Sequence, residues 1–347
     1  MQRLLEEEMS NSLLSQLLHD DNHGGRIGEP KLQATESDRH QFQRLADEDV
    51  VAAGSAPLDL EWWLRTTPFK EVEVAYDAKE KIVWQFMKFR RRPSVTLELL
   101  SEIKKILGMI ERAFGETRPE AEPPVRYVIL ASKLPGVFNM GGDLPLFVEL
   151  IRNRDREGLR HYAHACVDVQ YRRKTKLGLP VQTISLVQGD ALGGGFEAAL
   201  ADDLIVAEES AKFALPEILF NLFPGMGAYS FLQRRLNAVE AERLMLSGRI
   251  YSAGELHEMG VVDELVDDGK GIEAVYRLVE ERSRSYATRR AVFRSREVIN
   301  PISREELVEI TDLWVDAALT LAPSDLRKME RLAAAQDRRR AKARAAA

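Results

Sequence analysis

Seven strand-forming residues, Val181-Gln182-Thr183-Ile184-Ser185-Leu186-Val187, run into Gly189-Asp190-Ala191-Leu192-Gly193-Gly194-Gly195, and an Ala/Leu-rich helix leaves with Glu197 in its first turn. Three consecutive glycines turn the backbone between strand and helix. They leave bare N–H groups at a helix N-terminus, where partial positive charge accumulates. A second glycine turn, Val137 to Leu144 (VFNMGGDL), follows another apolar strand, Tyr127 to Ala131. Two N–H groups from two such turns can converge on one carbonyl oxygen and stabilise it as an oxyanion or enolate. Glu197 and Glu217, the latter in Pro216-Glu217, add a pair of carboxylates for proton transfer beside that oxygen.

Around these turns, strands and helices alternate. Val72–Tyr76 and Ile82–Met87 read as strands joined by a polar turn, and Ser94–Phe114 has helical periodicity. A proline-rich loop leads to strand Tyr127–Ala131, then the GGDL turn, a single helical stretch from Leu144 to Arg173, and strand Val181–Val187. Helix Phe196–Ala201 and short strands at Asp203–Ala207 and Lys212–Leu215 follow, and from Ala238 the chain reads as mostly helical. This order points to an α/β domain of ββα-type units. Boundaries are expected at residues 1–57 for an acidic extension, 58–260 for the α/β core, and 261–347 for a helical region with a basic tail.

A lone glycine cluster is more often a tight turn than a binding site. Here the second glycine turn and the two glutamates tip the balance toward catalysis. Taken singly, Glu197 would be a favourable charge in a first helical turn, and Glu217 a cap or a surface acid. Together in an apolar pocket, two carboxylates should have their pKa values pushed apart, leaving one protonated acid and one ionised base. A phosphate cradle is disfavoured because Phe196-Glu197 follows the glycines where a P-loop needs Lys-Ser/Thr. His161 and His164 have the spacing of a metal pair, but no third ligand type lies nearby, so no metal is expected. Asp143 reads as a residue that fixes its loop. Leu192, Phe220, Leu222, Phe223, Met226 and Trp314 are candidates for lining an apolar tunnel, with ordinary core packing as the alternative.

The chain is 45% hydrophobic and 30% charged, enough to bury a substantial core. No run of eighteen apolar residues is present, so no membrane span is expected. MQRLLEEEMS lacks the pattern of a secretory leader, and a lone Cys166 cannot form an internal disulfide; both fit a cytoplasmic protein. Residues 1–57 hold five Lys/Arg and eleven Asp/Glu, a balance that accounts for the whole chain's net charge of −6. The remainder is therefore near neutral, and nucleic-acid binding is not expected. Lys88, Arg90, Arg91 and Arg92 form a basic cluster for which a phosphate-bearing carrier is the best functional reading.

The motif set resembles the crotonase (enoyl-CoA hydratase/isomerase) superfamily, with oxyanion-hole donors at Gly142 and Gly194 and both hydratase glutamates at Glu197 and Glu217. GVFNMGGDLPLF, LVQGDALGGGFEAAL, PEILFNLFPGMGAYSFL and WVDAALTLAPSDLRKMERL resemble one branch, the diffusible signal factor (DSF) synthases. The likeness runs from about Val72 to about Arg340. It implies a spiral of ββα units, C-terminal helices covering the acyl site, and a homotrimer or dimer of trimers. It also implies a dehydratase and thioesterase that converts a 3-hydroxyacyl carrier-protein thioester to a free cis-2-unsaturated fatty acid used in quorum sensing. No cofactor is implied beyond the phosphopantetheine of acyl carrier protein or CoA, which the basic cluster would meet, and a DSF sensor kinase is a possible partner. An ordinary enoyl-CoA hydratase is the first alternative; a non-catalytic crotonase-fold regulatory protein is the second.

Overall fold

The computed structural model describes residues 59–115 and 122–345; the acidic extension expected at residues 1–57 lies outside them. A short helix, α1 (Leu60–Thr66), capped by the Asp59 side chain, leads into β1 (Val72–Asp77) and β2 (Ile82–Met87). α2 (Leu97–Gly115), β3 (Tyr127–Ser132) and β4 (Gly136–Asn139) follow. α3 (Leu144–Arg152) and α4 (Arg156–Lys174) then precede β5 (Gln182–Val187) and β6 (Gly189–Leu192). Next come α5 (Gly194–Ala201), β7 (Leu204–Glu208) and β8 (Lys212–Ala214). α6 (Ala228–Leu232), α7 (Ala238–Ser247), β9 (Ile250–Ser252), α8 (Ala253–Glu258) and β10 (Glu264–Val266) complete the α/β part. The chain ends in α9 (Gly271–Ser283), α10 (Tyr286–Ile299), α11 (Arg304–Ala318) and α12 (Pro323–Ala345).

The strands form two sheets, ordered β1-β2-β3-β5-β7-β10 and β4-β6-β8-β9. Consecutive strands alternate between them: β3, β5 and β7 enter the first sheet and β4, β6 and β8 the second. The β3–β4 and β5–β6 pairs are each followed by helix and a return to the first sheet. After β7–β8 the chain adds β9 to the second sheet before returning through β10, so it winds as a spiral of ββα turns. Within the large sheet only β1 and β2 pair antiparallel. Every residue of β5 is buried, the polar Gln182, Thr183 and Ser185 included, as in a strand covered on both faces. At Gly189, which joins β5 to β6, a Cβ would lie 2.1 Å from the Gly136 carbonyl carbon, so only glycine lets β6 run against β4.

The single helix expected from Leu144 to Arg173 is two. Arg154 takes a left-handed φ of 52°, and Asp155 starts α4 by accepting from the Gly158 N–H at 2.8 Å. α4 is pinned to the sheet by Arg173, which is wholly buried. Its guanidinium donates to both Asp202 oxygens at 2.9 and 2.6 Å and to Gln85 at 2.8 Å, while Ser185 Oγ donates to Asp202 at 2.7 Å. Among the described residues no helix is long and apolar enough to cross a membrane.

Candidate active site

The two glycine turns lie back to back. β4 ends at Asn139, whose side-chain Oδ1 accepts the Gly141 N–H at 2.9 Å, and Gly141 adopts φ 95°. Val95 N–H donates to Gly141 O at 2.7 Å. Because C=O and N–H of a trans peptide point opposite ways, this bond aims the Gly142 N–H away from Val95. The second turn uses the same device. Gly193 O accepts from Phe196 N–H at 2.9 Å and Glu197 N–H at 3.0 Å, so the Gly194 N–H of that same peptide projects off the start of α5. Among the described residues neither the Gly142 nor the Gly194 amide has an acceptor. A Cβ added at Gly194 would lie 3.4 Å from the Gly142 nitrogen, which sets the turns in contact.

Glu197, in the first turn of α5, is buried. Its Oε1 accepts the N–H groups of Met226 at 2.9 Å and Ala228 at 3.1 Å. Burial raises its pKa to about 7 against the opposing pull of those two bonds. Glu217 lies in a 3₁₀ turn, Pro216–Phe220, that follows β8. The residue is half-buried, yet Oε2 is sealed from solvent without a hydrogen-bond partner. Burial first, and the Glu197 charge second, push its pKa up to about 8. Such an arrangement holds a shared proton near neutral pH. The Glu197 carboxylate, with two donors, favours the ionised form, so the proton resides on Glu217.

Behind the glycines runs a narrow internal cavity. Leu99, Leu100 and Ile103 of α2 line one wall; Tyr162, Cys166, Val169, Gln170 and Arg173 of α4 line another. Gly142, Gly194 and Met226 stand at one end. Of the six apolar residues expected to line a tunnel, only Met226 does so. Leu192 packs in a separate small cluster with Val137, Met140 and Ala214, and Phe220, Leu222 and Trp314 belong to the main core, with Phe223 packed against it. Trp314 fills the space over Gly225, where a Cβ would meet it at 2.3 Å, and stacks edge-on with Phe147.

The basic cluster divides. Lys88 Nζ donates to Phe69 O at 3.0 Å, and Arg92 pairs with Asp337 at 3.2 Å and reaches Asp143 at 3.8 Å. Arg90 and Arg91 are exposed. Asp143 caps α3, accepting from Leu146 N–H at 3.5 Å. His164 binds Asp312 at 2.8 Å on the flank of α11.

Three residues support the turns: the sequence marks Asn139 without giving it a role, and it does not single out the other two. Asn139 holds Gly141. Tyr162 donates to Val95 O at 2.5 Å and accepts the Asp143 N–H at 3.3 Å, tying the residue after Gly142 to the Val95 segment that pairs with it. Gln336 of α12 reaches Met140. Of those other two, only Gln336 carried a visible signal, a polar residue on an otherwise apolar stripe.

The protein-family model described as "Enoyl-CoA hydratase/isomerase" matches residues 87–300. Methylglutaconyl-CoA hydratase, mitochondrial, of Rattus norvegicus is 27% identical over 244 residues, 68% of this chain and 75% of that protein. The Homo sapiens protein of the same name is 28% identical over 183 residues, 53% of this chain and 51% of its own length. The chain thus spans about half of that relative. The crystal structure of enoyl-CoA hydratase from Bacillus halodurans superposes with a TM-score of 0.63 at 21% identity, covering 75% of this chain and 99% of that one. At that identity the likeness speaks for the fold.

Proposed function

Because the chain belongs to the enoyl-CoA hydratase/isomerase family, we propose that it removes or adds water across C2–C3 of an acyl thioester and then hydrolyses the thioester. The substrate is a 3-hydroxyacyl group on acyl carrier protein and the product a free cis-2-unsaturated fatty acid, as the resemblance of four separated motifs to DSF synthases suggests. One observation carries the chemistry. Two buried carboxyl groups with raised pKa values stand in one site with two unpaired glycine amides.

The thioester oxygen accepts the Gly142 and Gly194 N–H groups, which stabilise the enolate that forms when C2 loses its proton. In the hydration direction, ionised Glu197 takes a proton from water while Glu217 gives its proton to C2. Dehydration is the reverse, starting from the shared proton on Glu197: Glu217 removes the C2 proton and Glu197 protonates the departing hydroxyl as water. For hydrolysis, a water activated by a carboxylate attacks the carbonyl, the tetrahedral oxyanion rests on the same amides, and the pantetheine thiolate leaves with a proton. The apolar cavity between α2 and α4 supplies a place for the acyl chain. Exposed Arg90 and Arg91 offer positive charge for the phosphate end of the carrier.

The family match and the curated hydratase relatives favour a second reading, hydration of an enoyl-CoA without thioester cleavage. Purified protein given 3-hydroxydodecanoyl thioesters of acyl carrier protein and of CoA separates the two. Free cis-2-unsaturated acid from the carrier-protein substrate supports the first. Only an enoyl-CoA and 3-hydroxyacyl-CoA equilibrium, with the thioester intact, supports the second.

A further inference from the structure

The turn that carries Gly142 is held from an unexpected direction. α12 packs through Leu326, Met329, Leu332 and Ala333, all buried, at the 3- and 4-residue spacing of one helix face. Gln336 is the next position on that stripe. It is 2% exposed, and its Nε2 donates to Met140 O at 2.8 Å, across 196 positions of sequence. The amide orientation is fixed by chemistry: turned over, Oε1 would face a carbonyl oxygen. The docking is reinforced by Glu330 with Arg152 at 2.9 Å and Asp337 with Arg92 at 3.2 Å.

Met140 O belongs to the peptide that ends at Gly141 N. Asn139 Oδ1 holds the N–H end of that peptide at 2.9 Å, and Gln336 holds its carbonyl end. Met140 N–H is bonded to Pro93 O at 2.7 Å, and the next peptide is fixed through Gly141 O by Val95 N–H at 2.7 Å. Every polar group from Met140 N–H to Gly141 O is therefore occupied. The following group, the Gly142 N–H, is the one left to donate.

We propose that Gln336 is a positioning residue: from the C-terminal helix it sets the plane of the Met140–Gly141 peptide and so the direction of the Gly142 amide. This inference rests on the oxyanion role given above to Gly142. Removing the donor frees one end of that peptide, and the amide then spends part of its time misaligned. Binding of neutral thioester depends on the apolar cavity and the carrier and should be little changed, whereas stabilisation of a negative oxygen should fall.

The test uses Gln336→Met, which keeps length and bulk but cannot donate, and Gln336→Glu, which donates only when protonated. A 3-ketoacyl thioester of CoA, whose enolate absorbs in the near ultraviolet, reports oxyanion stabilisation without turnover. Folded Q336M should bind this enolate about three- to tenfold more weakly than the unsubstituted protein, the loss of one neutral hydrogen bond, with KM for substrate nearly unchanged. Q336E should recover enolate binding relative to the unsubstituted protein as pH falls, a signature that loss of packing would not produce. The inference is overturned if Q336M stabilises the enolate as well as the original chain. It is equally overturned if the loss merely tracks the fraction unfolded by circular dichroism, or if Q336E shows no recovery at low pH. An unsubstituted protein that stabilises no enolate would instead overturn the oxyanion role of Gly142 itself, and the inference with it.

Discussion

Gly193 and Glu217 are so close that a Cβ on the glycine would sit 2.6 Å from the carboxylate Oε1, and Gly193 holds φ 47° and ψ −124°. Gly193→Ala should therefore strain the turn and displace Glu217 together. Turnover should fall by about 10²-fold or more, the scale of losing a general acid–base. A retained midpoint of thermal unfolding with full activity would show that the turn can yield.

Glu197→Gln and Glu217→Gln should each lower kcat by about 10²–10⁴-fold while the fold persists. Rapid-quench measurement on 3-hydroxyacyl thioester checks this. Near-normal turnover in either variant removes that carboxylate from the reaction.

Activity requires one proton on the pair. With Glu197 raised to about 7 and Glu217 to about 8, kcat should trace a narrow bell, falling in acid as both carboxyls become protonated and in alkali as both ionise. The bell should be lost in a profile of E217Q.

The same shifts act on stability, with the opposite sense to a salt-bridged carboxylate. Folded-state values above the ordinary 4.5 mean that the native protein binds protons more tightly than the unfolded chain. Stability should therefore decline as pH rises from about 4.5 towards 8 and stay reduced above that. Glu217→Gln should raise the unfolding midpoint above pH 8 by the equivalent of a few kcal/mol at most, at about 1.4 kcal/mol per unit, and change little near pH 4.5. Equal midpoints at pH 9 would show that the carboxylate is solvated.

Charge reversal at Arg90 and Arg91 should raise KM for an acyl carrier protein substrate more than for a minimal pantetheine thioester, with the difference narrowing as salt screens beyond about 8–10 Å. Equal effects on both substrates would mean that the carrier docks elsewhere.

Much of this was legible in sequence for a local reason. Glycine-rich turns and apolar strands such as Tyr127–Ala131 announce themselves within a few residues. The second sheet was legible only in part: Lys212–Leu215 reads as a short strand and Lys212–Ala214 is one, whereas Gly136–Asn139 spans four residues, too short to show a period. The break between α3 and α4 was hidden because Arg154 in a left-handed conformation leaves no compositional trace. The lining of the cavity was missed for another reason. Leu99, Ile103 and Val169 read as core whether they face a neighbour or a void, and Trp314, for which sequence left tunnel lining and core packing open, packs over Gly225.

The back-to-back turns also govern how this sequence can drift. A side chain at Gly141, Gly189 or Gly195 would collide with backbone, at 2.8, 2.1 and 2.2 Å respectively. Gly194 is different: an added methyl would meet only ordinary contacts, 3.4 Å to the Gly142 nitrogen and 3.6 Å to Val95. A single alanine there can be housed by the fold while standing between the two amides. A descendant of this protein could thus trade catalysis for passive ligand binding in one step, whereas the neighbouring glycines allow no such exit.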